Sequence, residues 1–512
     1  MHTRLFLALA CVLIVARVPS LVQPMGADQG LYAYVGERIL VGEIPYRHAW
    51  DQKPPAIHYT YAAMRGVWPH EGVVAAADLL IAVLVASMLL GIGTALAGGA
   101  TGQGAALLYL FLSDPSFQRL AGVNARAQCE TFIAAAVTGA FLLLVRGTPD
   151  VWKTAGAGAL LGLAVAFKYN AAVYGLGLVA ALWACRRLTV RELALLAGGA
   201  TVVPLTLFAV FLISGSVRDL YYATIQYNLQ YSGETYGGPV HFAGYLLTFP
   251  VQHARVDALW LLGGAGSAVL LVAFRWKRER LIAPVWVAAA CLAIAINGSR
   301  GLPQYFVQAL PALALAAAWA GSLVWTRKRL VNIVVVLIAA VAVWRVNEFT
   351  NLTGNIAHDG RYLLGRMTRE DHLARYGDRE QRKYSALAMA DLAQYIRART
   401  SAADRIYVFG FASGTYVQAE RASASRFFWS RPVIVDFQAG HAGYGIEGLR
   451  ADLEQAQPAI VALQLRDWWP DVQNSAEFFM STPRLAGFLE DGYARVPGPA
   501  GFDVWERRGT RP

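Results

Sequence analysis

Apolar runs close to the length of a membrane crossing recur through the first two-thirds of this sequence, with clusters of lysine and arginine between them. A bilayer core of about 30 Å needs roughly 20 apolar residues in a helix, so repeated runs of this length fix a membrane architecture before any other feature is read. Between breakers they fall at 5–22, 73–97, 101–113, 127–145, 154–168, 170–184, 193–213, 257–273, 281–297, 305–325 and 330–346, which makes about 11 spans. The runs at 101–113, 154–168 and 170–184 are short and read as tilted, buried or partly re-entrant. Charged residues make up 15% of the chain, against about 25% in soluble domains. The formal charge of +11 does not point to nucleic acid, because the basic residues sit between apolar runs, where they set topology.

Met1 to Leu21 has the outline of a signal peptide: Arg4, an apolar stretch, then small residues. The stretch around Ser20 lacks an A-x-A site and many spans follow, so an uncleaved first helix is expected. Arg146 and Lys153, then Arg186, Arg187 and Arg191, then Arg275, Lys277, Arg278 and Arg280, then Arg327, Lys328 and Arg329 form four basic loops. With 11 spans and a cytoplasmic N-terminus, all four fall on the cytoplasmic side. Segments 23–72, 114–126, 214–256 and 298–304 then face outward, as does the region from 347. The segments 23–72 and 214–256 are long and rich in Tyr, Trp, Gly and Pro. Long loops of this kind are functional or disordered, and their aromatic content favours amphipathic helices at the membrane surface.

From 347 to 512 the character changes. Tyr384 to Thr400 reads as an amphipathic helix, and Asp404–Phe411, Pro432–Asp436 and Ala459–Leu463 read as strands. Alternating helices and strands predict a small α/β layer domain. The expected architecture is a polytopic α-helical membrane core, 1–346, with an extracytoplasmic α/β domain, 347–512. Cys11, Cys129, Cys185 and Cys291 all lie in or beside apolar segments, so no disulfide framework is expected. The chain has no CxxC, HExxH or phosphate-binding GxxxxGK[ST] pattern, which removes support for zinc-protease and P-loop ATPase chemistry.

The chemistry-bearing residues gather in the outer segments. Asp28 precedes Leu31-Tyr32-Ala33-Tyr34. It reads both as a helix N-cap and as a general base for an acceptor hydroxyl. In Asp51-Gln52-Lys53-Pro54-Pro55 two prolines stiffen the backbone that carries Lys53. That lysine reads as a snorkelling side chain or as a charge on a phosphate leaving group. Glu130 heads a helix, where a carboxylate is favourable without further function; it also reads as a second site carboxylate that orients the acceptor or holds a divalent cation. Lys168 ends a short apolar run, either snorkelling or binding an anion. Arg300, in Asn297–Tyr305, reads as a solvated loop residue or a second phosphate clamp. The histidines near these segments, His48, His58, His70, His241 and His253, show no ligand spacing.

These residues carry a resemblance. The chain resembles the GT-C superfamily of polyprenyl-phosphate-sugar-dependent glycosyltransferases. Within it the chain is most similar to bacterial relatives of protein O-mannosyltransferases and of the aminoarabinose lipid A transferase. The matching points are Asp28 with Tyr32 after the first helix, Lys53-Pro54-Pro55 about 25 residues later, Glu130 at a helix head, and Arg300 before Pro303-Gln304-Tyr305 with Pro311 beyond. Three positions depart from the pattern. Gln29 stands where many members have Glu, Leu31 where the lipid A branch has Arg, and Gly301 where that branch has Lys. The resemblance implies an inverting transfer from a polyprenyl-phosphate monosaccharide to an acceptor hydroxyl on the outer face of a bacterial inner membrane. Asp28 would be the base and Lys53, with Arg300 and Lys168, the phosphate contacts. Tyr32, Asp51, Glu130 and Tyr305 would orient donor and acceptor. The acceptor class (glycan, lipid or protein) stays open, no cofactor is assigned, and metal dependence stays open, with a divalent metal possible at Glu130.

Two other readings remain open at this stage: a ligase or polymerase using a lipid-linked oligosaccharide, and a transporter or flippase. Transporters favour internal repeats and midplane charges; this sequence has no visible repeat, and its ionisable residues gather in the outer segments.

Overall fold

The computed structural model describes residues 3–120, 123–145, 150–185, 188–233, 235–325, 329–347, 349–379, 384–467 and 474–509. Every apolar run forms helix. Among the described residues, five helices are long and apolar enough to cross a membrane: Thr3–Val22, Gly72–Ala97, Val190–Ile213, Ala258–Trp276 and Arg278–Ile296. Shorter apolar helices occupy Cys129–Val145, Val151–Phe167, Tyr169–Cys185 and Leu310–Val324, and a further one Gly99–Leu112. Asn332–Val346 continues into Phe349–Leu363 with a 71° bend. The architecture is thus a multi-pass helical membrane protein. Of the basic loop residues, Arg146, Arg186, Arg187, Arg327 and Lys328 lie outside the described residues.

Small residues set the helix spacing. A Cβ at Gly158 would meet Leu196 O at 2.2 Å, one at Gly162 would meet Ala200 O at 2.3 Å, and one at Gly199 would meet Ala155 O at 2.1 Å. Helices Val151–Phe167 and Val190–Ile213 therefore touch backbone to backbone, the close approach that glycine permits between apolar helices.

The segment 23–72 is not draped on a surface. Its helix Ala27–Leu40 is buried from Gln29 to Gly36, and its second helix, Ala56–Val67, packs on it. A two-residue hairpin, β1 Arg119–Leu120 and β2 Val123–Asn124, lies beside it. Segment 214–256 folds as helical turns Val217–Tyr221, Tyr222–Gln226 and Tyr227–Gly233, then helix Pro239–His253.

The C-terminal region holds a four-stranded mixed sheet in the order β3-β4-β6-β5, with β3 Ile406–Phe409, β4 Ile460–Gln464, β5 Tyr493–Val496 and β6 Phe502–Arg507. Strands β3 and β4 are parallel, and β6 joins β4 antiparallel. Ala386–Arg399 is the expected helix, capped by the Ser385 hydroxyl at Ala388 N–H. The expected strand Pro432–Asp436 is instead a helical turn, Arg431–Ile434, whose Val433 and Ile434 amides bond Ser430 O. A short apolar run carries no periodicity of its own, and proline near the first helical position favours the turn.

Candidate active site

Segment 23–72 is fixed against its neighbours before it can present any chemistry. Asp28 lies in the first turn of helix Ala27–Leu40 but is not its cap. The capping acceptor is Gln29, whose Oε1 receives the Gly26 amide at 2.6 Å while its Nε2 donates to Arg126 O at 2.8 Å and Asn124 O at 3.3 Å. This double use explains an amide at position 29: a carboxylate there would cap the helix but repel two carbonyls. With the cap supplied by Gln29, Asp28 is left to face a cavity.

That cavity is lined by Asp28, Tyr32, Asp51, Lys53, Arg300 and Tyr305, so the structure brings six of the eight sequence-predicted residues to one space. Asp28 accepts a hydrogen bond from Gln304 Nε2 at 3.3 Å. Burial raises its pKa above the ordinary carboxylate range, and the facing Lys53 ammonium pulls in the opposite direction. Burial would lower the Lys53 pKa, yet Asp28 and then Cys129 and Asp51 hold it above the usual lysine value. Asp28 and Lys53 are therefore an electrostatically matched pair of opposite charge.

Asp51 lines the same cavity. Its Oδ1 accepts the Gln52 amide at 2.7 Å and its Oδ2 lies 3.2 Å from His58 Nε2, both side chains being buried. The Tyr46 hydroxyl donates to Lys53 O at 2.7 Å, which fixes the backbone that carries the lysine. Tyr32 packs edge-on against Tyr61 and His58.

Glu130 and Lys168, the remaining two, form a buried pair of their own, Nζ to Oε1 2.6 Å, with the ammonium 4.4 Å above the Tyr305 ring. Glu130 Oε1 is thus engaged by the protein's own cation. Among the described residues, those grouped closely enough to hold a metal ion are His358, Asp359 and His372. There the two imidazoles stack at 18°, so their in-plane lone pairs do not converge, and both Asp359 oxygens already accept hydrogen bonds, from Gln23 and Tyr376. Lys168 opens onto a second cavity that shares Lys53, Tyr231 and Tyr305 with the first and continues past Tyr169 and Leu229. Arg300 donates from Nη2 to Tyr231 O at 2.9 Å, its guanidinium carbon 3.6 Å from the Tyr231 ring centroid.

Sequence reasoning did not reach the far wall: Phe411, Trp429 and Arg431 from the C-terminal region, and Tyr231. No periodicity or motif joins positions so far apart in the chain. Trp429 Nε1 donates to Trp50 O, the Trp50 amide donates to Arg426 O, and Ser423 N–H donates to the Tyr34 hydroxyl at 2.7 Å. Trp50 also packs edge-on against Tyr227, 4.9 Å between centroids.

With an amphiphilic helical core and a polar site of this geometry in hand, the comparison with solved structures is decisive for the fold. The chain aligns with the crystal structure of ArnT from Cupriavidus metallidurans in the apo state at TM-score 0.62 and 16% identity, covering 98% of this chain and 97% of that one. The chain carries the GT-C fold. ArnT bound to undecaprenyl phosphate aligns at TM-score 0.57 and 16% identity, over 99% and 98% of the two chains. The archaeal oligosaccharyltransferase AglB from Archaeoglobus fulgidus, in complex with an inhibitory peptide and a dolichol-phosphate, aligns at TM-score 0.53 and 12% identity, over 99% of this chain and 75% of that one. No family model and no curated protein sequence matches the chain.

Proposed function

We propose that this protein is an inverting membrane glycosyltransferase that moves a monosaccharide from a polyprenyl-phosphate donor to an acceptor hydroxyl on the extracytoplasmic face of a bacterial inner membrane. The observation that carries the reading is the placing of Asp28, Lys53 and Arg300 around one cavity. One basic carboxylate faces cations suited to a phosphate. That structures of this fold hold undecaprenyl phosphate in ArnT and a dolichol-phosphate in AglB supports the same ligand class here.

Asp28 takes the proton of the acceptor hydroxyl as its oxygen attacks the anomeric carbon. The bond from that carbon to the phosphate oxygen breaks, and the electron pair leaves with polyprenyl phosphate. Inversion follows from a single displacement. A base raised above the usual carboxylate pKa is better matched to this proton transfer, while Lys53 and Arg300 stabilise charge gathering on the leaving phosphate. A well-placed donor of this kind contributes roughly 3–4 kcal/mol. Asp51, with His58 behind it, holds the chain that carries Lys53. Tyr32 and Tyr305 form apolar walls for the sugar and the first isoprene units. Lys168, paired with Glu130, lines the second cavity next to Lys53.

The test is transfer of radiolabelled sugar from polyprenyl-phosphate donors in membranes carrying wild type, Asp28→Asn or Lys53→Ala. Transfer that collapses in both variants at equal protein level supports the reading. Equal transfer in all three removes Asp28 and Lys53 from the site. Transfer only from a pyrophosphate-linked oligosaccharide assigns a ligase instead.

A further inference from the structure

Helix Phe349–Leu363 closes with a glycine turn. Gly365 takes a φ of 68°, its N–H donates to Tyr362 O at 2.9 Å, and the Arg366 N–H donates to Arg361 O at 2.8 Å. This pairing brings residues 361 and 366 together, where an apolar contact usually completes such a helix end. Here both are arginines, and both are exposed. Beside them Leu363 is 50% exposed and Leu364 69%. We propose that this turn is a binding site for an anionic phospholipid, with Arg361 and Arg366 on the headgroup phosphate and Leu363 and Leu364 among the acyl chains. The proposal rests on the multi-pass architecture and not on the glycosyltransferase reading.

Contacts at both ends of the helix fix the depth of the turn. The first span ends at Val22. His372 Nε2 lies 3.0 Å from Val22 O, the Tyr362 ring stacks on His372 at 4.1 Å, and Gln23 Nε2 donates to Asp359 Oδ2 at 2.5 Å. Leu363 and Leu364 follow Tyr362 in the chain, so they stand at the level where the first span leaves the bilayer. At the other end Phe349 stacks on Trp344, 5.7 Å between centroids. Trp344 is 71% exposed and lies near the end of the apolar helix Asn332–Val346, the position of an aromatic at headgroup depth. Between these anchors the 15-residue helix, about 22 Å long, runs along the membrane boundary, in keeping with its 71° bend from the helix before it.

Two arginines side by side repel, and the carbonyls of a helix end offset only part of that cost. Among the described residues, no hydrogen bond or ion pair joins either guanidinium to a protein group. The acids nearest in the chain are engaged elsewhere: Asp359 by Gln23 and Tyr376, Glu370 by Arg379, and Asp371 by Thr368. A phosphodiester anion between the two guanidinium groups satisfies both, because their planar donors match phosphate oxygens. A zwitterionic headgroup brings its own cation and meets the same pair less favourably. The two leucines leave water by entering the acyl boundary beneath that headgroup.

The experiment places the full-length protein in phosphatidylcholine nanodiscs containing a minor share of photoreactive lipid. Its diazirine is on the acyl chain, and its headgroup is either phosphatidylglycerol or phosphatidylcholine. Crosslinks are mapped to peptides by mass spectrometry. In wild type both lipids should label segment 361–368, phosphatidylglycerol the more strongly. An arginine near an anionic surface changes partitioning about fivefold. Arg361→Gln with Arg366→Gln should therefore reduce the phosphatidylglycerol preference roughly tenfold or more, and high salt should reduce it too. Leu363→Ser with Leu364→Ser should lower labelling by both lipids. Thermal unfolding checks each variant, and Arg366→Gln alone, with an expected loss of about fivefold, stands in if the double variant is unstable. No labelling of the segment in wild type overturns the proposal and puts the turn in water. Equal labelling by the two headgroups, or a preference that survives loss of the arginines, overturns it and leaves them as complements to the helix end. Loss of the phosphatidylglycerol label on adding polyprenyl phosphate overturns it in favour of the substrate lipid.

Discussion

Replacing Gly30 with alanine tests whether the C-terminal region must sit where it does for the site to work. A Cβ at Gly30 would lie 2.8 Å from both Cα and N of Gly414. Ordinary contacts of this kind begin near 3.4 Å, so the two backbones must part by about 0.6 Å, and neither has a side chain that can rotate away. Overpacking of this sort costs roughly 1–3 kcal/mol. Removing a helix-interior glycine from Ala27–Leu40 returns up to about 1 kcal/mol. Net stability should therefore fall by roughly 0–2 kcal/mol, while Phe411, Trp429 and Arg431 move away from Asp28. A misplacement near 1 Å costs up to about 100-fold in rate, so a shift of about half that is expected to lower sugar transfer roughly tenfold. Gly414→Ala is the internal control. Its new Cβ meets Met389 Cε and Sδ at 3.0 Å and Gly30 Cα only at 3.7 Å, and a thioether adapts, so activity should stay within about threefold of wild type. Steady-state kcat/KM on both variants decides the matter. Full activity in Gly30→Ala, or a larger loss in Gly414→Ala, would refute the reasoning.

Three further outcomes are expected. The pH profile of kcat/KM should show an acid limb above the usual carboxylate value of about 4, because burial raises the Asp28 pKa and activity needs its ionised form. Since Lys53 acts to lower that pKa, residual activity in Lys53→Ala should show the limb displaced to still higher pH. Glu130→Gln strands the buried Lys168 ammonium, so it should cost about 3–5 kcal/mol, read as a lower unfolding temperature; adding Lys168→Met should restore most of it. Gln29→Glu keeps the cap on Gly26 N–H but sets a carboxylate against Asn124 O and Arg126 O, with an expected loss of roughly 1–3 kcal/mol in the same unfolding assay.

The membrane core was legible because bilayer thickness imposes a length on apolar runs, and each run from 5–22 to 330–346 forms helix. Asp28, Lys53 and Arg300 were legible because charges in aromatic, proline-stiffened outer segments have few structural reasons to be there. The reading failed where the signal is not local. Pro432–Asp436 has strand composition but becomes a helical turn beneath Ser430. Arg431, Trp429 and Phe411 reach the cavity only through tertiary docking, and no spacing rule in the sequence links them to Asp28. Glu130 and Lys168 were each noticed separately, but their 2.6 Å contact is a property of helix packing that neither segment encodes alone. Gln29 looked like a departure from a motif until its two amide bonds showed that both its donor and its acceptor are used.

Trp50 gives its amide to Arg426 O and its carbonyl to the Trp429 indole, three residues before Lys53. The ribosome makes those two partners more than 370 residues after it has made Trp50. During synthesis the membrane helices can insert and pack while the segment bearing Asp28 and Lys53 still lacks its outer wall. The cavity is therefore completed last, when the C-terminal region docks, and on the proposed function a truncated or stalled chain would occupy the membrane without a finished site.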